Sequence, residues 1–231
     1  MPRIIAGSVG GRRIDSPPGQ DLRPMMDKVR AALFDMLWHV NAVRGRMLDL
    51  YSGTGAVGIE ALSRGAEFAD LVEANPVSAR TIQGNLDKVG FTSRGRVHRR
   101  KVEDIVAKPS LLGFEGPFDL ISVTPPYAEV DYADLARRVA ESSLIGEGTV
   151  VVFEHPRGVE MADEIGPLVR LRERRYGGTR ISIYEVPYEN ARDDYEEDED
   201  EDEDEDYEDE DEENDEDDED DEEQDGADIR S

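Results

Sequence analysis

The stretch Asp49-Leu50-Tyr51-Ser52-Gly53-Thr54-Gly55-Ala56-Val57-Gly58 decides the fold. Before it, Arg46 to Leu50 is a short apolar run that reads as a strand, and after it Ala56 to Arg64 reads as a helix. The turn between them has the form G-x-G-x-x-G, and Glu73 stands twenty residues beyond Gly53 at the end of a second strand-like run, Phe68 to Val72. Glycines at those positions let backbone approach a ligand, and an acid at that distance can bind ribose hydroxyls. A nucleotide-type site on a strand-turn-helix unit is therefore the first expectation.

Outward from this unit the alternation continues. Asn75-Pro76 opens a helix with proline at its first position, carrying Ala79, Ile82, Leu86 and Val89 inward. Further strands are expected at Arg96 to Arg99, Phe118 to Val123 and Thr149 to Phe153, with a helix from Asp131 to Glu141 before the last of them. Strands separated by such helices imply an α/β fold whose parallel sheet is covered on both faces. Val169 to Tyr176 and Thr179 to Tyr184, joined across Gly177-Gly178, have no helix between them and predict a C-terminal antiparallel hairpin. Upstream, Val29, Ala32, Leu33, Met36, Leu37 and Val40 fall at helical spacing, and Arg3 to Gly7 with Gly10 to Ile14 predict a β-hairpin. The domains expected are an N-terminal extension, 1–44, a ligand-binding domain, 45–190, and a tail, 191–231.

Charge divides the chain at the same place. Of 231 residues, 56 are acidic and 27 are Lys or Arg; residues 191–231 hold 30 of those acids and two of those arginines, which leaves the first 190 almost neutral. Like charges that repel and little to bury predict a disordered acidic tail, a solubilising appendage in the plain reading and a competitor with nucleic acid for basic surfaces in the sharper one. The chain has no cysteine, which excludes disulfides, thiolate metal sites and a cysteine nucleophile. No apolar run approaches the ~18 to 20 residues of a membrane span and no signal-like stretch follows Met1, so a cytoplasmic location is expected. His39, His98 and His155 show no ligand spacing, and no metal is expected.

Two ligand classes suit the glycine turn. A dinucleotide would place its pyrophosphate on the helix N-terminus, where a nearby carboxylate repels it. Asp49, at the carboxyl end of the first strand, instead suits a ligand with a cationic end. S-adenosylmethionine has a ribose, a sulfonium, an ammonium and no phosphate, so charge favours the methyl donor. A second motif, Thr124-Pro125-Pro126-Tyr127, follows the fourth strand and so falls at the same sheet edge. Its prolines stiffen a backbone whose carbonyls can hold an amine's hydrogens, and its ring gives a base a face to stack on.

The sequence resembles the RsmD-type methyltransferases. The likeness rests on Asp49 through Ala66, Pro125-Pro126-Tyr127, Arg3-Ile4-Ile5-Ala6-Gly7 and Leu22 through Phe34, and runs from about Arg3 to Tyr184. It implies a Rossmann-like class I methyltransferase fold with a mostly parallel seven-stranded sheet, and methylation by S-adenosylmethionine of the N2 amine of one guanine in 16S ribosomal RNA, free or in assembling small subunits. The cofactor residues it implies are Asp49, Ser52, Gly53, Thr54, Gly55 and Glu73, with Asp104 as a candidate for adenine; the catalytic residues are Thr124, Pro125, Pro126 and Tyr127. Three departures stand out. Thr124 replaces the family's Asp or Asn, Met25 and Met26 replace threonines, and gapless alignment puts Lys101 where an adenine-binding acid is usual. The alternatives are an adenine-N6 methyltransferase, a donor- and RNA-binding assembly factor disabled at Thr124, and, from the glycine turn alone, a dehydrogenase. A monomer is expected.

Basic residues crowd the N-terminal stretch and the segment Arg94, Arg96, Arg99, Arg100 and Lys101. Such density suits phosphate contacts, and Arg3, Arg12, Arg13, Arg23, Lys28 and Arg30 are the expected RNA-binding residues. Trp38, at the end of the first helix, is expected to pack in the core or at its rim.

Overall fold

A computed structural model describes residues 1–19, 25–113, 116–127 and 130–189. Arg23 and the acidic tail lie outside the described residues, so the expectations placed on them find no counterpart below. Helix α1 spans Asp27–His39 and turns Val29, Leu33, Met36 and Leu37 inward as its spacing requires, while Val40 falls just past its end and is exposed. The alternation then runs β1 (Arg46–Leu50), α2 (Ala56–Arg64), β2 (Phe68–Val72), α3 (Pro76–Val89), β3 (Gly95–His98), α4 (Val102–Ala107), a 3-10 turn (Pro109–Leu112), β4 (Leu120–Val123), α5 (Tyr132–Ala140) and β5 (Val150–Pro156). Three antiparallel strands close it: β6 (Glu164–Ile165), β7 (Leu168–Tyr176) and β8 (Thr179–Glu185).

Local chemistry explains the boundaries. Asn75 caps α3 by accepting from the backbone amides of Val77 and Ser78, with Pro76 in the first turn where its missing N–H costs nothing. Gly90, at φ 83°, ends that helix in the left-handed conformation. Asp131 caps α5 through the amide of Asp134.

The sheet order is β3-β2-β1-β4-β5-β8-β7-β6. The first five strands are parallel, and β5-β8-β7-β6 are joined antiparallel. Eight strands stand where seven were expected, and the additional one is the two-residue β6. The chain order reverses between β1 and β4, so a crevice opens at their carboxyl ends, where open α/β sheets bind ligands. One apolar layer packs under α1, α2 and α3, and the other under α4 and α5. Ile4, Val9 and Ile14 share the first layer with Met47, Ala69 and Val152, so segment 1–44 has no core separate from the sheet's.

The N-terminal hairpin is reduced to a single antiparallel bridge, Arg3 with Arg13. Three backbone bonds join its arms, from the amides of Ile4, Gly11 and Ile14 to the carbonyls of Arg12, Ile4 and Pro2, and further donors go to α2. The amides of Ile5 and Ala6 donate to the Glu60 carboxylate at 2.6 and 3.0 Å, and those of Ser8 and Val9 donate to the Ser63 carbonyl and hydroxyl oxygens. Gly7 lies so close to α2 that a Cβ would come within 2.0 Å of the Ser63 carbonyl oxygen. With the amides of Ile5, Ala6, Ser8 and Val9 bonded to α2, the pairing of the two arms stops there.

Candidate active site at the carboxyl edge of the sheet

Strands β1 and β4 are hydrogen-bonded neighbours, with Leu50 opposite Val123. The glycine loop after β1 and the Pro-Pro-Tyr turn after β4 therefore start side by side, and the Thr124 amide donates to the Leu50 carbonyl at 3.4 Å. Beneath them Ser122 donates its hydroxyl to Asp49 Oδ1 at 2.5 Å, tying the two strands together below the crevice.

Asp49 is fully buried, and its other oxygen accepts from the Gly58 amide at 3.1 Å. Ser52 Oγ donates to the Asp49 carbonyl at 2.7 Å, and Asn85 Nδ2 donates to the Thr54 carbonyl at 3.0 Å. These contacts set the loop from behind. Gly55 takes the left-handed conformation, φ 78°, and at Gly58 a Cβ would come within 2.8 Å of the Leu71 side chain, so either position would have to shift to take a larger residue. Burial pushes the Asp49 carboxyl up to about 6, against the lowering effect of its bonds from Ser122, Gly58 and Ser52. Asp49, expected among the cofactor residues, thus has both carboxylate oxygens engaged and no exposed surface, and it braces the loop from below.

Glu73 lies at the open side. Its carboxylate accepts from the Gly53 amide at 2.9 Å and the Asn75 amide at 2.7 Å and stays partly exposed, leaving lone pairs for ribose hydroxyls. Tyr51 has a left-handed backbone, φ 61°, uncommon for a residue with a bulky side chain, and its hydroxyl donates to Glu103 at 3.2 Å. Burial, then the Glu103 charge, push the Tyr51 hydroxyl's pKa up. Glu103 is the acid bonded to Tyr51, and Asp104, the candidate for adenine, is its neighbour in the chain. Both sit in the first turn of α4, about 100° apart around the helix.

On the other side, the Tyr127 hydroxyl donates to Glu154 at 2.9 Å and meets the Thr179 hydroxyl at 2.5 Å. Because Val123 is opposite Phe153, the next residues along both strands are Thr124 and Glu154, which places a carboxylate beside the first residue of the turn. From the sequence Glu154, after the fifth strand, could equally border the pocket or pack at the strand end, since its value depends on which strand neighbours β4. Pro125 is buried, whereas Thr124 and Tyr127 are partly exposed. His155 is a packing residue: burial pushes its pKa down, its Nε2 is 2.8 Å from Ser182 Oγ, and its ring meets Tyr132 edge-on.

The expected RNA contacts separate into two groups. Arg3, Arg12, Arg13 and Lys28 are exposed. Arg30 is not: its side chain has no exposed surface and forms ion pairs with Asp27 at 2.8 Å and with Glu60 at 3.8 Å. A fully buried charge needs a partner, and Glu60 provides one across the α1–α2 contact. Arg30 thus pins the N-terminal segment and is not available to phosphate. Arg94 is likewise structural, donating to the carbonyls of Leu62, Ala66 and Glu67, while Arg99, Arg100 and Lys101 are exposed just past β3 at the carboxyl edge of the sheet. Trp38 is 69% exposed and lines a cleft of about 420 Å³ with Gly7, His39 and Arg64. Among the described residues no group of His, Asp or Glu is arranged to hold a metal, and no helix is long and apolar enough to cross a membrane.

An open sheet with a glycine loop after its first strand and a diproline-aromatic turn after its fourth defines a Rossmann-like methyltransferase of class I. Residues 2–185 match the family described as conserved hypothetical protein 95. The Bacillus subtilis protein named "Putative rRNA methyltransferase YlbH" is 35% identical over 185 residues, 79% of this chain and 98% of that protein. Ribosomal RNA small subunit methyltransferase D of Escherichia coli K12 is 33% identical over 125 residues, 54% of this chain and 60% of that protein. The structure of hypothetical protein TTHA0928 from Thermus thermophilus superposes with a TM-score of 0.69 at 32% identity, covering 80% of this chain and all of that one. The chain belongs to this family, the RsmD-type methyltransferases.

Proposed function

We propose that the protein methylates the exocyclic N2 amine of a guanine in 16S ribosomal RNA, using S-adenosylmethionine. The observation that carries this reading is the pairing of β1 with β4, which sets the glycine loop and the Pro-Pro-Tyr turn side by side over the Asp49–Ser122 bond. The residues fit the donor. Glu73 suits its ribose hydroxyls, Tyr51 and Glu103 rim the far end of the crevice, and the buried Asp49 charge favours a cation over a phosphate. When bound, the donor supplies an electrophilic methyl on sulfur.

The rest falls to this chain's own residues. Tyr127, held at its hydroxyl by Glu154 and Thr179, offers a fixed ring against which an extruded base stacks. Thr124 Oγ1 and the Pro125 carbonyl accept the amine's two hydrogens, so that its lone pair is aimed at the methyl. Glu154, beside Thr124, adds a negative charge near the amine as it becomes cationic during transfer. No covalent intermediate is needed, in keeping with the absence of cysteine.

Incubation with methyl-labelled donor and either naked 16S rRNA or assembling small subunits, beside a Thr124→Asp variant, tests the reading. Label transferred by the native protein supports the enzyme. Label transferred only by the variant identifies a donor- and RNA-binding module instead.

A further inference from the structure

The C-terminal hairpin carries a cluster of cations that the N-terminal expectations overlooked. Arg170, Arg172, Arg174, Arg175 and Arg180 fall within eleven residues, and Arg157 follows β5. Because β5 runs parallel to β4, its end lies at the catalytic edge, and Pro156 pairs there with Thr179 of β8. The hairpin turn at Gly177-Gly178 is thus at the same edge, where the Arg157 amide donates to the Gly178 carbonyl at 2.9 Å. Thr179, the first residue past the turn, touches the Tyr127 hydroxyl, so this end of the hairpin is continuous with the Pro-Pro-Tyr shelf.

The local charges are poorly compensated. Arg175 lies directly opposite Arg180 in the β7–β8 ladder, an arrangement of like charges that costs stability. Glu173 is the acid that pairs with Arg180, at 3.2 Å, and it is shared with Arg170 at 3.3 Å. Arg157, Arg172 and Arg175 are exposed, and among the described residues none has a carboxylate within ion-pair distance. Opposed arginines that destabilise the free protein are stabilised once a polyanion lies between them.

We infer that the tip of the β7–β8 hairpin, with Arg157 and Arg175 as its principal cations, is a phosphate-binding surface that grips the RNA strand flanking the extruded base. The inference rests on the proposed RNA substrate and deepens it. It places backbone contacts next to the shelf, where they fix the strand's register without reading its sequence.

The test uses the full chain carrying Arg157→Glu and Arg175→Glu, beside a double variant Arg12→Glu and Arg13→Glu. Affinity for a 16S rRNA fragment is measured across a salt series, with donor affinity and thermal midpoint as controls. The hairpin variant should lose at least about tenfold in RNA affinity at low salt, and its plot of log affinity against log salt should flatten by roughly 1.4 for two lost contacts to single-stranded phosphates. Donor affinity should be unchanged. Arg175→Gln alone should weaken RNA binding while raising the thermal midpoint, because it relieves the repulsion with Arg180, an effect that loss of fold would not produce. Unchanged RNA affinity and salt slope in the hairpin variant overturn the inference, and if the native protein still transfers methyl groups the proposed function stands. A native protein that binds RNA through the hairpin yet transfers no methyl supports the surface and overturns the function.

Discussion

The two motifs at the carboxyl edge are held in opposite ways. The glycine loop is set from behind: Asp49, Ser52 and Thr54 are buried, and their polar groups are bonded before any ligand arrives. The Pro-Pro-Tyr shelf is set from the side, by the Glu154 and Thr179 contacts to Tyr127 at the sheet's surface. The comparison teaches that the proposed donor half of the site is built into the core, so damage there should cost stability and binding together. The proposed acceptor half is attached to the core's edge, so damage there should cost chemistry with the fold intact.

The most disruptive way to break the comparison is Asp49→Ala. Leaving the Gly58 amide and Ser122 hydroxyl unbonded should destabilise the protein by roughly 2 to 4 kcal/mol, read by denaturant unfolding, and should abolish donor uptake read by calorimetry. Tyr127→Phe should do the reverse. We expect about a tenfold fall in kcat from the freed ring, with donor affinity and unfolding midpoint unchanged, and a similar fall from Glu154→Gln. A shift in the midpoint as large as that of Asp49→Ala would erase the distinction.

The smallest effect sharpens the electrostatic side. With its pKa raised from 3.8 to about 6, Asp49 contributes stability in full below about pH 4 and loses it as the pH rises through 6. The unfolding midpoint of Asp49→Asn relative to the native protein should therefore climb between pH 4 and 7 and level off above. Donor binding should run the other way in the native protein, tightening as Asp49 ionises, because a cationic ligand favours the carboxylate. A pH-independent donor affinity would show that the buried charge plays no part.

Much of this was legible in the sequence because it is local. The strand-turn-helix around Gly53, the proline-started α3 and the antiparallel ending of the sheet all follow from short-range spacing and turn chemistry. What was missed depends on pairing across the chain. Arg30 reads as an exposed helix cation until Glu60, thirty residues on, is placed against it. Glu154 gains meaning only from the register of β4 with β5. Six-residue α4 is too short for periodicity to show, so nothing in the sequence singles out Glu103 as the acid that meets Tyr51. The hairpin arginines were visible as a run, but their availability depends on which neighbours carry acids. Arg12 and Arg13 are exposed, whereas the N-terminal hairpin is short because the amides of Ile5, Ala6 and Val9 go to Glu60 and Ser63.

The most direct measurement is mass spectrometry of the nucleosides released from 16S rRNA after incubation with the native protein and methyl-labelled S-adenosylmethionine. The account predicts label in N2-methylguanosine, the product of an amine held beside the donor. Label on a ribose or a ring carbon, or in no nucleoside from either naked RNA or assembling subunits, would contradict it.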